Sequence, residues 1–437
     1  MNLPRCQTFD LNAKRFVVST ARLWLLVFLF QSFVGCGPLE GDVPVEVVFF
    51  DDDEDDFVIG VQELHSVKNI LTGENNDFNV LGAPKVPGLD GIEILSNRQD
   101  FPTEADVVTE NRKRAGGELV RPRLHWDGTA WVAQDFDSLQ YLTYTFNFER
   151  VFSFFSNYDD TGATSDLATV GFYGEVTFAS LFPLPVIASD NAAYYPPMDG
   201  WLVLRSTPIT SGIPMGMNDA VIAHEFSHRF FHHNVFLPSF EAFDLWRTFN
   251  GQGAAEGNEA LSVLQLKGID EGLADVFAIG YSGSTHFIGR SIVIDDPKIT
   301  SRNVEGPFAD VVTFEHILSG NYPDDHEDAC GGGLTSPIGF NFYCIGTLFA
   351  RVAWDSVGGD VEALRESFLP AMAPALARTS ILILAASTGG ELAFDLSMVL
   401  EPIAQELPPD VRNRFCAGVR EKFSFFVYES SSVPTCF

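Results

Sequence analysis

The chain has 437 residues, 46% of them hydrophobic and 13% aromatic, enough apolar material for a large core in one big domain or two and too much for a disordered chain. Lys and Arg number 27 against 59 Asp and Glu, a formal net charge of -32, which argues against direct contact with nucleic acid or an anionic membrane surface. The acidity fits a solvated surface, with cation ligands as the alternative.

At the N-terminus, Arg5, Lys14, Arg15 and Arg22 precede an apolar run from Leu23 to Phe30. That run is too short to span a bilayer comfortably and has the layout of a secretory signal, so residues 1–35 are expected to be removed on export. It ends Phe33-Val34-Gly35-Cys36, which resembles a bacterial lipobox with Phe33 in place of the usual Leu. A lipid on Cys36 would anchor an exported lipoprotein at the cell surface or in the periplasm; an ordinary signal peptide with an incidental Cys would give a secreted protein. Past Cys36 four cysteines remain, Cys330, Cys344, Cys416 and Cys436. An even number in an exported chain suggests two disulfides, and Cys330 with Cys344 and Cys416 with Cys436 is one of three connectivities. Buried free thiols are the alternative.

Residues 36–115 read as a tether leading into a small β-rich accessory region or pro-segment. The strand-like Val45 to Phe50 runs straight into the acidic block Asp51 to Asp56, and the basic cluster Arg112-Lys113-Arg114 marks an exposed boundary. From 116 to 437 one large domain is expected. Its first part mixes strands (Trp126 to Ala133, Val170 to Phe178) with a helix over Ser138 to Phe155. After Asn218 the apolar spacing becomes helical, and Ile345 to Trp354, Leu392 to Leu407 and Val411 to Lys422 read as helices.

The strongest signal begins at Asn218, a good N-cap, followed by Asp219-Ala220-Val221-Ile222-Ala223-His224-Glu225-Phe226-Ser227-His228. No Gly or Pro interrupts residues 220–231, so the stretch should be helical. Positions four apart share a helix face, which lets His224 and His228 present two imidazole nitrogens to one zinc, with Glu225 beside them as general base toward water. A third ligand is then required. The third-His pattern fails, because Asn234 stands at that position and Phe231 at the accompanying Gly position; His232 and His233 leave the ligand face and read as surface residues.

Glu256, Glu259 and Glu271 all follow the zinc helix, but only Glu271 has an Asp, Asp275, four residues later on one helical face. The pair of motifs resembles the thermolysin-like and fungalysin-like metalloproteases, the gluzincins. The resemblance implies an α+β, zincin-like two-lobed fold: a β-rich N-terminal lobe, a mainly helical C-terminal lobe and the zinc helix between them. It also implies Glu271 as third ligand and Asp275 as the partner that orients His224. Asp190-Asn191-Ala192-Ala193-Tyr194-Tyr195 resembles the edge strand that holds substrate in these enzymes, which would make Asn191 and Ala192 binders of peptide backbone. The resemblance spans roughly residues 140 to 356. Two features depart from it: an insertion around Ser239 to Leu266, and no clear counterpart of the family's oxyanion His. Phe342-Tyr343-Cys344-Ile345-Gly346 resembles that helix start and leaves Tyr343 as the candidate donor.

The expected activity is zinc-dependent hydrolysis of peptide bonds in a protein or peptide substrate. A catalytically silent gluzincin-fold binding lipoprotein is the alternative, and the intact set His224, Glu225, His228 and Glu271 weighs against it. A zinc hydrolase of non-peptide amides is a third reading. Asp324, Asp325, Glu327 and Asp328, ahead of Cys330, have the ligand types for Ca2+ and equally those of a solvated acidic loop.

Overall fold

The computed structural model describes residues 37–82 except 52 and 77, then 95, 100, 103–158, 169–204 except 175, 179–185 and 189–191, 213–236, 245, 249, 258–291, 302–323, 341–387, 392–424 and 436. The expectations for the leader 1–35, Cys36, Asn191, Glu256, Cys330 and the acidic loop 324–328 lie outside the described residues.

Strand β1 (Gly41–Asp51) turns through the acidic block into β2 (Asp56–Asn69), and the two pair antiparallel down to Asp51 opposite Asp56. Alternation along β1 buries Val43, Val45 and Val47, while Pro44 and Glu46 between them stay partly exposed. Short strands β3 (Glu74–Asn75), β4 (Phe78–Gly82), β5 (Glu118–Leu119), β6 (Leu124–Trp126) and β7 (Trp131–Ala133) follow. The next are β8 (Thr169–Gly174), β9 (Val176–Phe178), β10 (Val186–Ala188), β11 (Ala192–Tyr195) and β12 (Gly200–Leu204). One five-stranded sheet has the order β3-β2-β1-β7-β6 and the other β11-β12-β8-β4-β5; β9 and β10 form a separate pair. Residues 41–82 therefore enter both larger sheets, β4 pairing parallel with β8 and β1 parallel with β7. Among the described residues β11 is an edge, bonded on one side to β12.

Between these strands run α1 (Glu104–Ala115), which starts in a capping box of Thr103 and Asp106, and α2 (Phe136–Ser156), capped by Asp135. Among the described residues from 213 on, the longer elements are helices: α3 (Asp219–Val235), α4 (Asn258–Ser282), α5 (Pro307–Val311), α6 (Phe314–Ser319), α7 (Asn341–Ser356), α8 (Met372–Ala386), α9 (Ser397–Glu406) and α10 (Pro409–Lys422). The architecture is α+β: among the described residues the strands all lie in the N-terminal half, with α1 and α2 between them, and the C-terminal half is built from helices. The helical run Val361–Ala386 is long and apolar enough to cross a membrane, but more than half of its apolar window is buried inside the protein, as in a core helix. Cys416 and Cys436 are bonded to each other, and Cys344 is disulfide-bonded to a residue outside the described ones.

An aromatic core locks the two halves together around α3. Phe226 and Phe230 of that helix are fully buried. Phe226 stacks on Trp201 of β12 at 5.0 Å and lies 4.7 Å from Phe155 of α2, which stacks on Phe277 of α4 at 4.7 Å. Rings of this size dominate core energetics, so α3 is held on three sides by sheet, α2 and α4. Helices α4 and α7 cross closely because glycines meet at the crossing. A Cβ on Gly272 would fall 2.5 Å from the Gly346 carbonyl oxygen, and one on Gly346 3.1 Å from Cβ of Glu271. That crossing sets the height of Glu271 in the molecule.

Candidate metal centre

Asn218 starts α3 as its sequence predicts, its Oδ1 accepting from Ala220 N at 3.0 Å. Its amide also donates to Phe287 O at 3.0 Å and Ser291 Oγ at 2.6 Å, while Asn147 of α2 donates to Met217 O at 3.0 Å. The first turn of the helix is thus pinned from outside before the histidines appear. Phe226 and Phe230 turn into the aromatic core, leaving His224 and His228 on the face toward α4.

The two Nε2 atoms converge to 3.2 Å, and the Glu271 carboxylate from α4 approaches them at 3.4 Å from His224 and 3.9 Å from His228. His224, His228 and Glu271 form a donor set that can hold a metal ion, their ligand atoms all within 4.8 Å of one another. Ligand bonds of about 2.0 to 2.1 Å at tetrahedral angles separate neighbouring donors by about 3.4 Å, so the spacing fits a small divalent ion. The outer nitrogens strengthen that fit. Nδ1 of His224 lies 3.0 Å from Asp275 Oδ1 and Nδ1 of His228 lies 2.9 Å from Asp270 Oδ1, so each ring can donate outward and leave Nε2 to a metal that displaces its proton.

Charge compensates charge throughout this cluster. Burial opposes protonation of His228, but Asp270 and Glu271 outweigh it and raise its pKa to about 10. His224 is likewise raised, burial and Arg302 being outweighed by Asp275 and Glu271. Burial pushes the Glu271 carboxyl up, yet His228, His224 and Arg302 bring it down to about 2. Arg302 is the cation that sequence reading missed: its Nη2 donates to Asp275 Oδ1 at 2.6 Å and Glu271 Oε2 at 3.3 Å, and its guanidinium lies 4.9 Å from the Tyr343 ring centre. Tyr343 therefore sits beside the carboxylates, and Glu271 first, then burial, pushes its phenol pKa up.

Glu225 lies next to the donor set, and its Oε2 accepts from the backbone N of Tyr194 on β11 at 2.8 Å. This brings the edge strand, with Ala192 two residues earlier, against α3. Glu259 lies on α4, but its side chain is outside those described.

Two expectations are corrected. His232 is buried, not a surface residue: its ring packs 5.6 Å from Tyr194, 5.5 Å from Phe236 and 5.2 Å from Phe249, and burial holds its pKa well below the usual range. His233 points to Asp199 at 3.3 Å. The apolar flank of α3 continues past the metal face, and the insertion that follows supplies Phe249 to cover it. Asp270 was overlooked although it directly precedes Glu271; an acid beside a ligand acid is the signal that would have found it. No protein-family model matches the chain, and no curated protein is significantly similar to it.

Proposed function

We propose that this protein is an exported zinc-dependent endopeptidase with the two-lobed zincin-like arrangement of the gluzincins. The observation that carries the reading is the convergence of two Nε2 atoms and one carboxylate, each histidine backed by its own acid, beside a glutamate facing an edge strand. His224, His228 and Glu271 would hold the metal, which when bound supplies Lewis acidity that lowers the pKa of water toward about 7 and polarises a carbonyl.

The chain's own residues do the rest. Glu225 accepts the proton of the attacking water and passes it to the departing amine. Asp275 and Asp270 fix the tautomers of His224 and His228. Asn191 and Ala192 hold the peptide as a strand added to β11, and Tyr343 donates its hydroxyl toward the oxygen on which negative charge develops. The mature chain would reach the membrane only through a lipid on Cys36, and the full chain's net charge of -32 suits a protein or peptide partner over nucleic acid. The direct test is metal content of the purified protein together with casein hydrolysis, with and without chelator. Zinc near one per chain and hydrolysis abolished by chelator are expected; hydrolysis indifferent to chelator contradicts the reading.

A further inference from the structure

Three residues of α3 spaced four apart, Glu225, Arg229 and His233, form a stripe on one face of the helix. That stripe faces β11 and the turn after it. The turn carries Asp199, whose φ of 42° is left-handed and whose carboxylate is largely buried. Four groups converge on this one carboxylate through five atoms. Tyr194 Oη donates to its Oδ1 at 2.9 Å and Arg229 Nε to the same oxygen at 2.8 Å. Arg229 Nη2 reaches Oδ2 at 3.2 Å, Arg112 Nη2 reaches Oδ2 at 3.4 Å, and His233 Nε2 lies 3.3 Å from Oδ1. Arg112, from α1, also donates to the carbonyls of Met198 and Asp199, so it grips the main chain of the turn from the far side.

A carboxylate is not buried without cost, and one that gathers two guanidiniums, an imidazole and a phenol fixes their relative positions. Burial opposes the charge on Asp199, but Arg229 and His233 outweigh it and hold the carboxyl well below the usual range. Tyr194 is the shared element. Its backbone N–H donates to Glu225 and its hydroxyl is tied through Asp199 to Arg229, so one strand residue meets the helix at two points a turn apart.

We propose that Asp199 is a positioning residue: with Arg229 and Tyr194 it clamps the edge strand to the metal helix and thereby sets where the Glu225 carboxylate points. The proposal rests on Glu225 acting as general base, and it is tested apart from that role. Tyr194→Phe removes only the hydroxyl tie, and Asp199→Asn weakens the hub while keeping its shape. Each should lower kcat on the order of tenfold, with zinc content retained and KM within about twofold, because misplacing a catalytic group costs rate before binding. The double variant should lose no more than the worse single one, since both act through one connection. Wild-type kcat in Tyr194→Phe, or single losses that multiply in the double variant, overturns the clamp. Amide hydrogen exchange across residues 192–195 reads the clamp without any activity. It should quicken about tenfold or more in both variants, and unchanged exchange overturns the clamp even if casein is cleaved. Absence of hydrolysis by the wild type, with exchange responding as expected, leaves the clamp standing and sinks only the enzymatic reading.

Discussion

Replacing Asp270 should weaken metal binding although Asp270 is no ligand. Its Oδ1 holds Nδ1 of His228 at 2.9 Å, and the carboxylate is buried. Without it the imidazole is free to swing or to place its proton on Nε2, the atom meant for the metal. Losses of such outer partners cost about 10 to 100-fold in affinity, or about 1.4 to 2.8 kcal/mol. Asp270→Ala should fall in that range. Asp270→Asn, whose amide oxygen still accepts from Nδ1, should lose only a few-fold. The same comparison applies to Asp275, whose Oδ1 holds His224 at 3.0 Å. Competition titration of the metal-free protein against a chromophoric chelator measures both. Equal affinities for wild type and Asp270→Ala would refute the claim that His228 is oriented from α4, as would Asn behaving like Ala.

Metal binding should release protons, because His228 is raised to about 10 and His224 is also raised in the metal-free site. Affinity should accordingly climb with pH through the neutral range, by about tenfold per unit for each proton displaced; calorimetry in buffers of different ionisation enthalpy counts them, and no release contradicts the site's electrostatics. Gly272→Ala places a Cβ 2.5 Å from the Gly346 carbonyl oxygen, so it should cost about 1 to 3 kcal/mol in denaturant unfolding and weaken the metal by shifting Glu271, whereas an unperturbed midpoint would mean that the crossing is looser than described. Phe226→Ala, at the centre of the aromatic core, should cost about 3 to 5 kcal/mol in the same assay; a loss below about 1 kcal/mol would show that α3 is held elsewhere.

Much of the site was legible because its signals are local. Asn218, His224, Glu225 and His228 lie on one capped helix, and Glu271 with Asp275 on another, so helical periodicity alone assigns each to a face. What joins the two helices is not local. The crossing at Gly272 and Gly346 brings together residues 74 apart, and Arg302 reaches the carboxylates from a segment with no periodic signature. The sheets divide in the same way. Alternation at Val43, Val45 and Val47 foretells a strand, but nothing in Phe78–Gly82 announces a parallel partner at Thr169–Gly174. His232 and His233 leave the ligand face of α3, but that face is not bounded by solvent on the side they turn to. One is neutral among aromatic rings and the other pairs with a buried acid, two environments that only tertiary packing provides.

The most direct test of the central claim is hydrolysis and zinc content of Glu225→Gln beside the wild type. Gln keeps the size of the side chain and leaves His224, His228 and Glu271 untouched, while removing the proton acceptor. The expected result is zinc bound near one per chain in both proteins, with casein cleavage by the variant reduced at least about a hundredfold. Wild-type cleavage by Glu225→Gln with zinc in place would contradict the assignment of Glu225 as general base, and with it the proposed mechanism.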